Sequence, residues 1–199
     1  GDTSQKLTLM KTSADSLKKS ADALNASSLW EKKKIKKKDE EAGEETEVED
    51  YDWEAITKAV KSFIEDYNDV VKEAGESNTK DVLRNAAWMT GMTDKSSNML
   101  AKIGITIGKG NKLELDEDAL KKSDVSSLQS VFTGYNSYAS KISQKATSIG
   151  NAASRSKAVT YTSSGSYSNT LSKLVPSTVD ERVGDKDKSS DTSSKTTEK

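Results

Sequence analysis

The 199-residue chain contains no cysteine and no histidine, a single proline, and few aromatic residues (three Trp, six Tyr, two Phe). Without cysteine there is no disulfide, no thiolate nucleophile and no zinc–thiolate site. Without histidine the commonest metal ligand and general base are missing. A metalloenzyme and a disulfide-bonded scaffold are thereby excluded. No apolar run approaches the ~20 residues that span a bilayer, and no cleavable signal peptide is visible. Gly1 reads as an added residue, with the native start expected ahead of it. Charge of one sign is also lacking: 31 Lys and Arg against 32 Asp and Glu leave a net charge of −1, which gives no general case for nucleic-acid binding.

What the chain does contain is charge and hydroxyl. Charged residues make up 32% and hydrophobic residues only 32%. Thirty serines and 18 threonines outnumber the aromatic residues fourfold. A core of ordinary size cannot be spread over such a chain, so part of it is expected to be disordered, or helical with a narrow buried stripe.

Two stretches stand apart. Residues 31–50 place six lysines in Lys32–Lys38 and then run acidic to Asp50, with Ile35 and Val48 as the only side chains larger than alanine that are apolar. So little apolar surface cannot offset the entropy of ordering about twenty residues, and a solvated, self-neutralising disordered linker is expected. Residues 157–199 carry 17 Ser or Thr among 43 and include Pro176; a disordered tail is expected there, with at most a short turn or strand at Tyr161–Tyr167.

The rest is written in heptads. Leu7, Met10, Ala14, Leu17, Ala21, Leu24 and Ser28 alternate spacings of three and four, the pattern of a helix packing along a seam; Thr3 or Ser4 caps it. A second series runs Trp53, Ile56, Val60, Phe63, Tyr67, Val70 and Ala74, closed by Gly75, with Ile64 and Val71 widening the stripe for burial in a bundle. A third runs Leu128, Phe132, Tyr135, Ala139, Ile142, Ala146, Ile149, Ala153 and Ser156, with Gly134 expected to bend or fray its start. Between the second and third helices, Asn78 is read as capping a short helix that stops at Gly91, and Thr93 as capping another that ends at Gly104. Ile105 and Ile107 alternate with polar residues, as do Leu113 and Leu115, around a Gly108–Asn111 turn, which predicts a β-hairpin over 103–115. Asp116 follows as the N-cap of Glu117–Lys122.

No constellation here predicts catalysis. Asp116, Glu117 and Asp118 lack the curved loop and central glycine of a calcium site and read as helix capping. The Gly108-Lys-Gly110 turn lacks phosphate-loop spacing and leads into a strand. Trp30, Trp53 and Trp88 neighbour amphipathic faces and are expected to pack in or beside the core. No serine has a base partner. No cofactor, metal or small-molecule substrate is predicted.

The run Leu100-Ala-Lys-Ile-Gly-Ile-Thr-Ile-Gly-Lys-Gly-Asn-Lys-Leu-Glu-Leu-Asp-Glu-Asp-Ala-Leu-Lys-Lys122, followed by Phe132, resembles the C-terminal region of the flagellar hook-associated protein 2 family, the filament cap. Upstream, Phe63-Ile-Glu-Asp-Tyr-Asn68 is similar to a helix of the same family. The resemblance covers about residues 53–156 and places Ile103, Gly104, Ile105, Leu113, Leu115, Asp116 and Leu120 in the family motif. It implies a non-enzymatic extracellular assembly protein of the bacterial flagellum, one that helps filament subunits polymerise through ring-like caps. Family members carry large β-rich domains ahead of their C-terminal helices, where this chain has only residues 31–50.

The expected fold is mainly α: an elongated helical bundle or coiled coil built from helices over 4–30, 51–75 and 127–156, with a small β-hairpin and short helices at one end. Its segments are 4–30, a linker 31–50, a helical domain 51–156 and a tail 157–199. The expected assembly seam comprises Leu17, Leu24, Phe63, Tyr67, Leu128, Phe132, Tyr135, Ala139, Ile142, Ala146 and Ile149. The expected partners are flagellin-like filament subunits or further copies of the chain. A surface interaction module, or a cytoplasmic secretion-chaperone-like protein that holds a partner helix, is the alternative.

Overall fold

The computed structural model describes residues 1–41 and 43–164, and the chain divides into two units, 1–154 and 155–199. The first unit is mainly α. Its elements are α1 (Ser4–Asn25), β1 (Lys32–Lys38), β2 (Glu45–Tyr51), α2 (Trp53–Gly75), α3 (Lys80–Lys95), α4 (Ser97–Ala101), β3 (Ile105–Ile107), β4 (Leu113–Leu115), α5 (Glu117–Lys122), α6 (Val125–Phe132) and α7 (Tyr138–Ser164). Of the second unit, the described part is the end of α7; the remainder of the expected tail, 165–199, lies outside the described residues.

Helix α1 starts where the Thr3 hydroxyl accepts the Lys6 N–H at 3.1 Å, satisfying one of the donors a helix start leaves open. It buries Leu7, Met10, Ala14, Leu17, Ser20, Ala21 and Leu24. Helix α2 starts where Asp52 accepts the Ala55 N–H at 3.0 Å, and it buries a wider stripe that includes Ile56, Val60, Phe63, Ile64, Tyr67 and Val70. The two run antiparallel. Lys6 donates to the Glu76 carbonyl at 3.0 Å and Ser13 to the Glu73 carboxylate at 2.9 Å. Helix α7 runs antiparallel along the other flank of α1. Ser143 donates to Asp22 at 2.6 Å, and a side-chain carbon on Gly150 would lie 3.6 Å from the Ala14 Cβ. The small residues of α1 thus admit two neighbouring helices at close range.

The aromatic residues gather on this frame. Phe63 contacts Tyr67, Phe132 and Tyr138 with ring centroids 6.0–6.3 Å apart, and Trp30 stacks on Phe132 at 6.0 Å. The Trp30 indole N–H donates to the Leu24 carbonyl at 2.8 Å. Its polar edge is therefore satisfied while its face is buried.

Several expectations are corrected. Residues 31–50 do not form a disordered linker: β1 and β2 pair antiparallel over seven rungs, from Lys32↔Tyr51 to Lys38↔Glu45. Lys33↔Asp50, Lys34↔Glu49, Lys36↔Glu47 and Lys38↔Glu45 set opposite charges directly across from each other, and Ile35↔Val48 is the apolar rung between them. Such pairs stabilise a sheet by roughly 0.2–1 kcal/mol each, a contribution that a count of apolar side chains omits. The first helix ends at Asn25, not at residue 30; Ser27–Trp30 is a 3-10 turn and Ser28 is exposed. The third series is two helices. Gly134 takes φ +100° between α6 and α7, and the Asn25 side chain caps this turn by accepting the Gly134 N–H at 2.9 Å. Helix α7 continues to Ser164, through the first eight residues assigned to the tail. Helix α3 is preceded by Thr79, not Asn78, and passes through Gly91 to Lys95, so Thr93 lies inside it rather than at a cap.

Candidate assembly surface

Most of the family-motif residues are buried. Ile103, Ile105 and Leu120 are fully buried and Leu113 nearly so, while Leu115 is half-buried. Gly104 takes φ +90°, and a Cβ there would meet the Asp116 carbonyl oxygen at 2.6 Å. Both the backbone conformation and the close approach demand glycine. The Gly104 carbonyl accepts the Asp116 N–H at 2.8 Å, and the Asp116 carboxylate accepts the Ala119 N–H at 3.1 Å. One short segment therefore closes the β3–β4 hairpin and starts α5.

Asn68 fastens this hairpin to α2. Its carbonyl oxygen accepts the Leu113 N–H at 2.7 Å, and its amide donates to the Leu113 carbonyl at 3.0 Å. Lys61 reaches Glu117 at 2.9 Å beside it, and that bond holds the Glu117 carboxyl below its ordinary range. Asn68 was legible only as the last letter of the Phe63–Asn68 run. Its amide copies the pairing of a neighbouring strand.

A second fastening uses Thr93. Its hydroxyl accepts from the Tyr67 hydroxyl at 2.7 Å, lies 2.8 Å from the Tyr138 hydroxyl, and donates to the Met89 carbonyl at 3.2 Å. Burial pushes the Tyr67 phenol up to about 12, against the bond to Thr93 and with help from Asp94. Burial likewise raises Tyr138 well above its ordinary value. Both stay neutral hydrogen-bonding groups across the physiological range. Helices α2, α3 and α7 meet at this one side chain.

The third fastening holds the amino terminus. Asp2 accepts from the Ser77 hydroxyl at 2.6 Å, the Asn78 N–H at 2.9 Å and the Thr79 hydroxyl at 2.6 Å, with Lys6 at 3.8 Å. Burial alone would raise this carboxyl, but the three hydrogen bonds and Lys6 outweigh it and bring the pKa down to about 2.

Of the predicted seam, Leu17, Leu24, Phe63, Tyr67, Leu128, Phe132, Ala139, Ile142, Ala146 and Ile149 are all fully buried within the chain. The structure brings them together as intramolecular core. Tyr135 is the departure: it follows the Gly134 turn and is 83% exposed. Trp88, expected to pack, is 60% exposed, with the Lys145 ammonium 4.6 Å from its ring centroid. Trp30 is buried and Trp53 half-buried. What this unit offers a partner is therefore its exterior. That exterior includes Tyr135, Trp88 and an open groove of about 1010 Å³ between α2, β4 and α5, lined by Trp53, Thr57, Lys61, Ile64, Leu115 and Lys121 among others.

The polar side chains of this helical unit, Asn68, Thr93 and Asp2 among them, serve to clamp its elements together. The chain belongs to the flagellar hook-associated protein 2 C-terminus family, whose model matches residues 77–199, over half its length. The match includes the Ile103–Leu120 motif, while the Phe63–Asn68 run lies ahead of it. No curated protein and no solved structure matched the chain. Among the described residues no helix is long and apolar enough to cross a membrane.

Proposed function

We propose that the chain is a non-enzymatic structural protein of the bacterial flagellum, located outside the cell, that acts in filament assembly by binding filament subunits or further copies of itself. The observation that carries this reading is the family match over residues 77–199. Burial of the heptad side chains inside the chain moves the contact from the seam to exposed residues, of which Tyr135 and Trp88 are the largest aromatics. Exposed aromatic side chains with a polar edge are the commonest anchors of protein interfaces.

The test is co-sedimentation of the purified chain with preformed flagellin filaments of the same organism, followed by elongation from those filaments. Binding to filament ends and altered growth are expected, with both reduced by Trp88→Glu or Tyr135→Glu. Tyr135→Glu, at an 83% exposed position, should leave stability within about 0.5 kcal/mol, while Trp88→Glu gives up the Lys145 contact and should cost no more than about 1 kcal/mol. No binding to filaments, together with capture of an unfolded export client, would replace this reading with the chaperone-like one.

A further inference from the structure

We propose that the β1–β2 hairpin is a self-complementary docking element: the lysine edge of β1 in one copy pairs with the acidic edge of β2 in a second copy. The inference rests on the strand edges and names one surface for the self-association in the proposed function; its failure would leave filament binding through Trp88 and Tyr135 untouched.

Among the described residues the two strands form a sheet of two, so each presents there one backbone edge with no neighbouring strand. The Asp39 N–H donates inward to the Glu44 carbonyl at 2.7 Å. By the alternation of antiparallel ladders, Lys34, Lys36 and Lys38 then point their N–H and C=O groups outward, as do Glu45, Glu47 and Glu49 on the other side. An edge of this kind is a template for a further strand.

Charge decides which strand can use it. Strand β1 carries Lys at six of its seven positions, and β2 carries Glu45, Glu47, Glu49 and Asp50. Lysine on an edge ordinarily blocks pairing, and it does so here against apolar strands and against another β1. Two β1 edges would set lysines opposite lysines, and two β2 edges carboxylates opposite carboxylates, both destabilising. The arrangement left open is β1 against β2. The chain already demonstrates that pairing internally, at equal strand length and with Ile35 opposite Val48. Repeated between molecules, it continues the same register.

Because the two edges differ, the contact is head-to-tail. It does not close as a two-fold dimer, and generates a ring or an open row. The exposed lysines and carboxylates make it sensitive to ionic strength.

Two measurements test this on the full chain. Sedimentation velocity at low salt should show concentration-dependent association that weakens at least about tenfold between about 20 mM and about 500 mM salt, as the screening length shortens from roughly 20 Å to about 4 Å. Lys36→Pro removes an outward N–H without touching the inward ladder and should abolish the association. The absence of native cysteine permits a second measurement that does not depend on that variant's hairpin. Protein carrying Lys36→Cys is mixed with protein carrying Glu47→Cys under mild oxidation. Cross-linked pairs should form in the mixture and be scarce in either protein alone. A wild-type chain that stays monomeric at low salt, association that survives Lys36→Pro unchanged, or equal cross-linking in the mixture and the single proteins would each overturn the proposal.

Discussion

At the scale of the residue, Gly104 and Gly91 separate two roles of one amino acid. Gly104 combines φ +90° with a backbone oxygen 2.6 Å from any added Cβ. Gly91 sits inside α3, and an added Cβ there would meet nothing within 4 Å. Gly104→Ala should therefore cost more than about 2 kcal/mol, since the left-handed conformation alone costs about 1–2 and the clash adds to it. Gly91→Ala should stabilise the chain by roughly 0.5–1 kcal/mol. Urea melts of the two variants measure both, and equal effects would remove the structural distinction. Thr93 shows where reading single residues fails. Two positions after Gly91, a threonine reads as a cap; only the approach of Tyr67 and Tyr138 from distant helices reveals that its hydroxyl joins three elements.

At the scale of the element, legibility followed the kind of force involved. Helix α2 was plain because Ile56, Val60, Phe63, Tyr67 and Val70 repeat at helical spacing and are all buried. The β3–β4 hairpin was plain because Ile105, Ile107, Leu113 and Leu115 alternate about a glycine-containing turn. The β1–β2 hairpin was not, because its rungs are ionic and become visible only once a register is assumed. The break at Gly134 was half-legible: a glycine weakens a helix anywhere, but the Asn25 side chain that fixes the turn lies 109 positions away. Asn68 is the matching case among helix positions, a polar residue whose partner is a strand. Asn68→Ala would leave the Leu113 N–H and C=O without their partner and should cost about 1–3 kcal/mol. Faster amide exchange across Leu113–Leu115, with α1 protection unchanged, is the expected signature.

At the scale of the whole molecule, acid stability should have two limbs. Burial raises the carboxyls of Glu73 and Asp66 above their ordinary values, so their protonation on the way down from neutral pH favours the folded state. Asp2 has the opposite sign. Its folded pKa of about 2 lies below the ordinary 3.8, so its contribution is complete above about pH 4 and is lost as pH falls toward 2. With its side chain only 2% exposed, that contribution is about 2 kcal/mol. Melting temperature should hold level or rise slightly to about pH 4 and then fall, and Asp2→Asn should lower it at neutral pH while flattening the acid limb. The antiparallel placement of α1 between α2 and α7 also sets a timetable. The Ser143–Asp22 bond spans 121 positions, so a ribosome adding roughly 5–20 residues per second makes α1 wait between roughly 6 and 24 s for its last partner. Through that interval one flank of α1 faces water without α7. Ala14, which Gly150 of α7 approaches on that flank, gives a nascent chain little to stick with, so the modest side chains that let three helices crowd together should also limit aggregation of the unfinished chain.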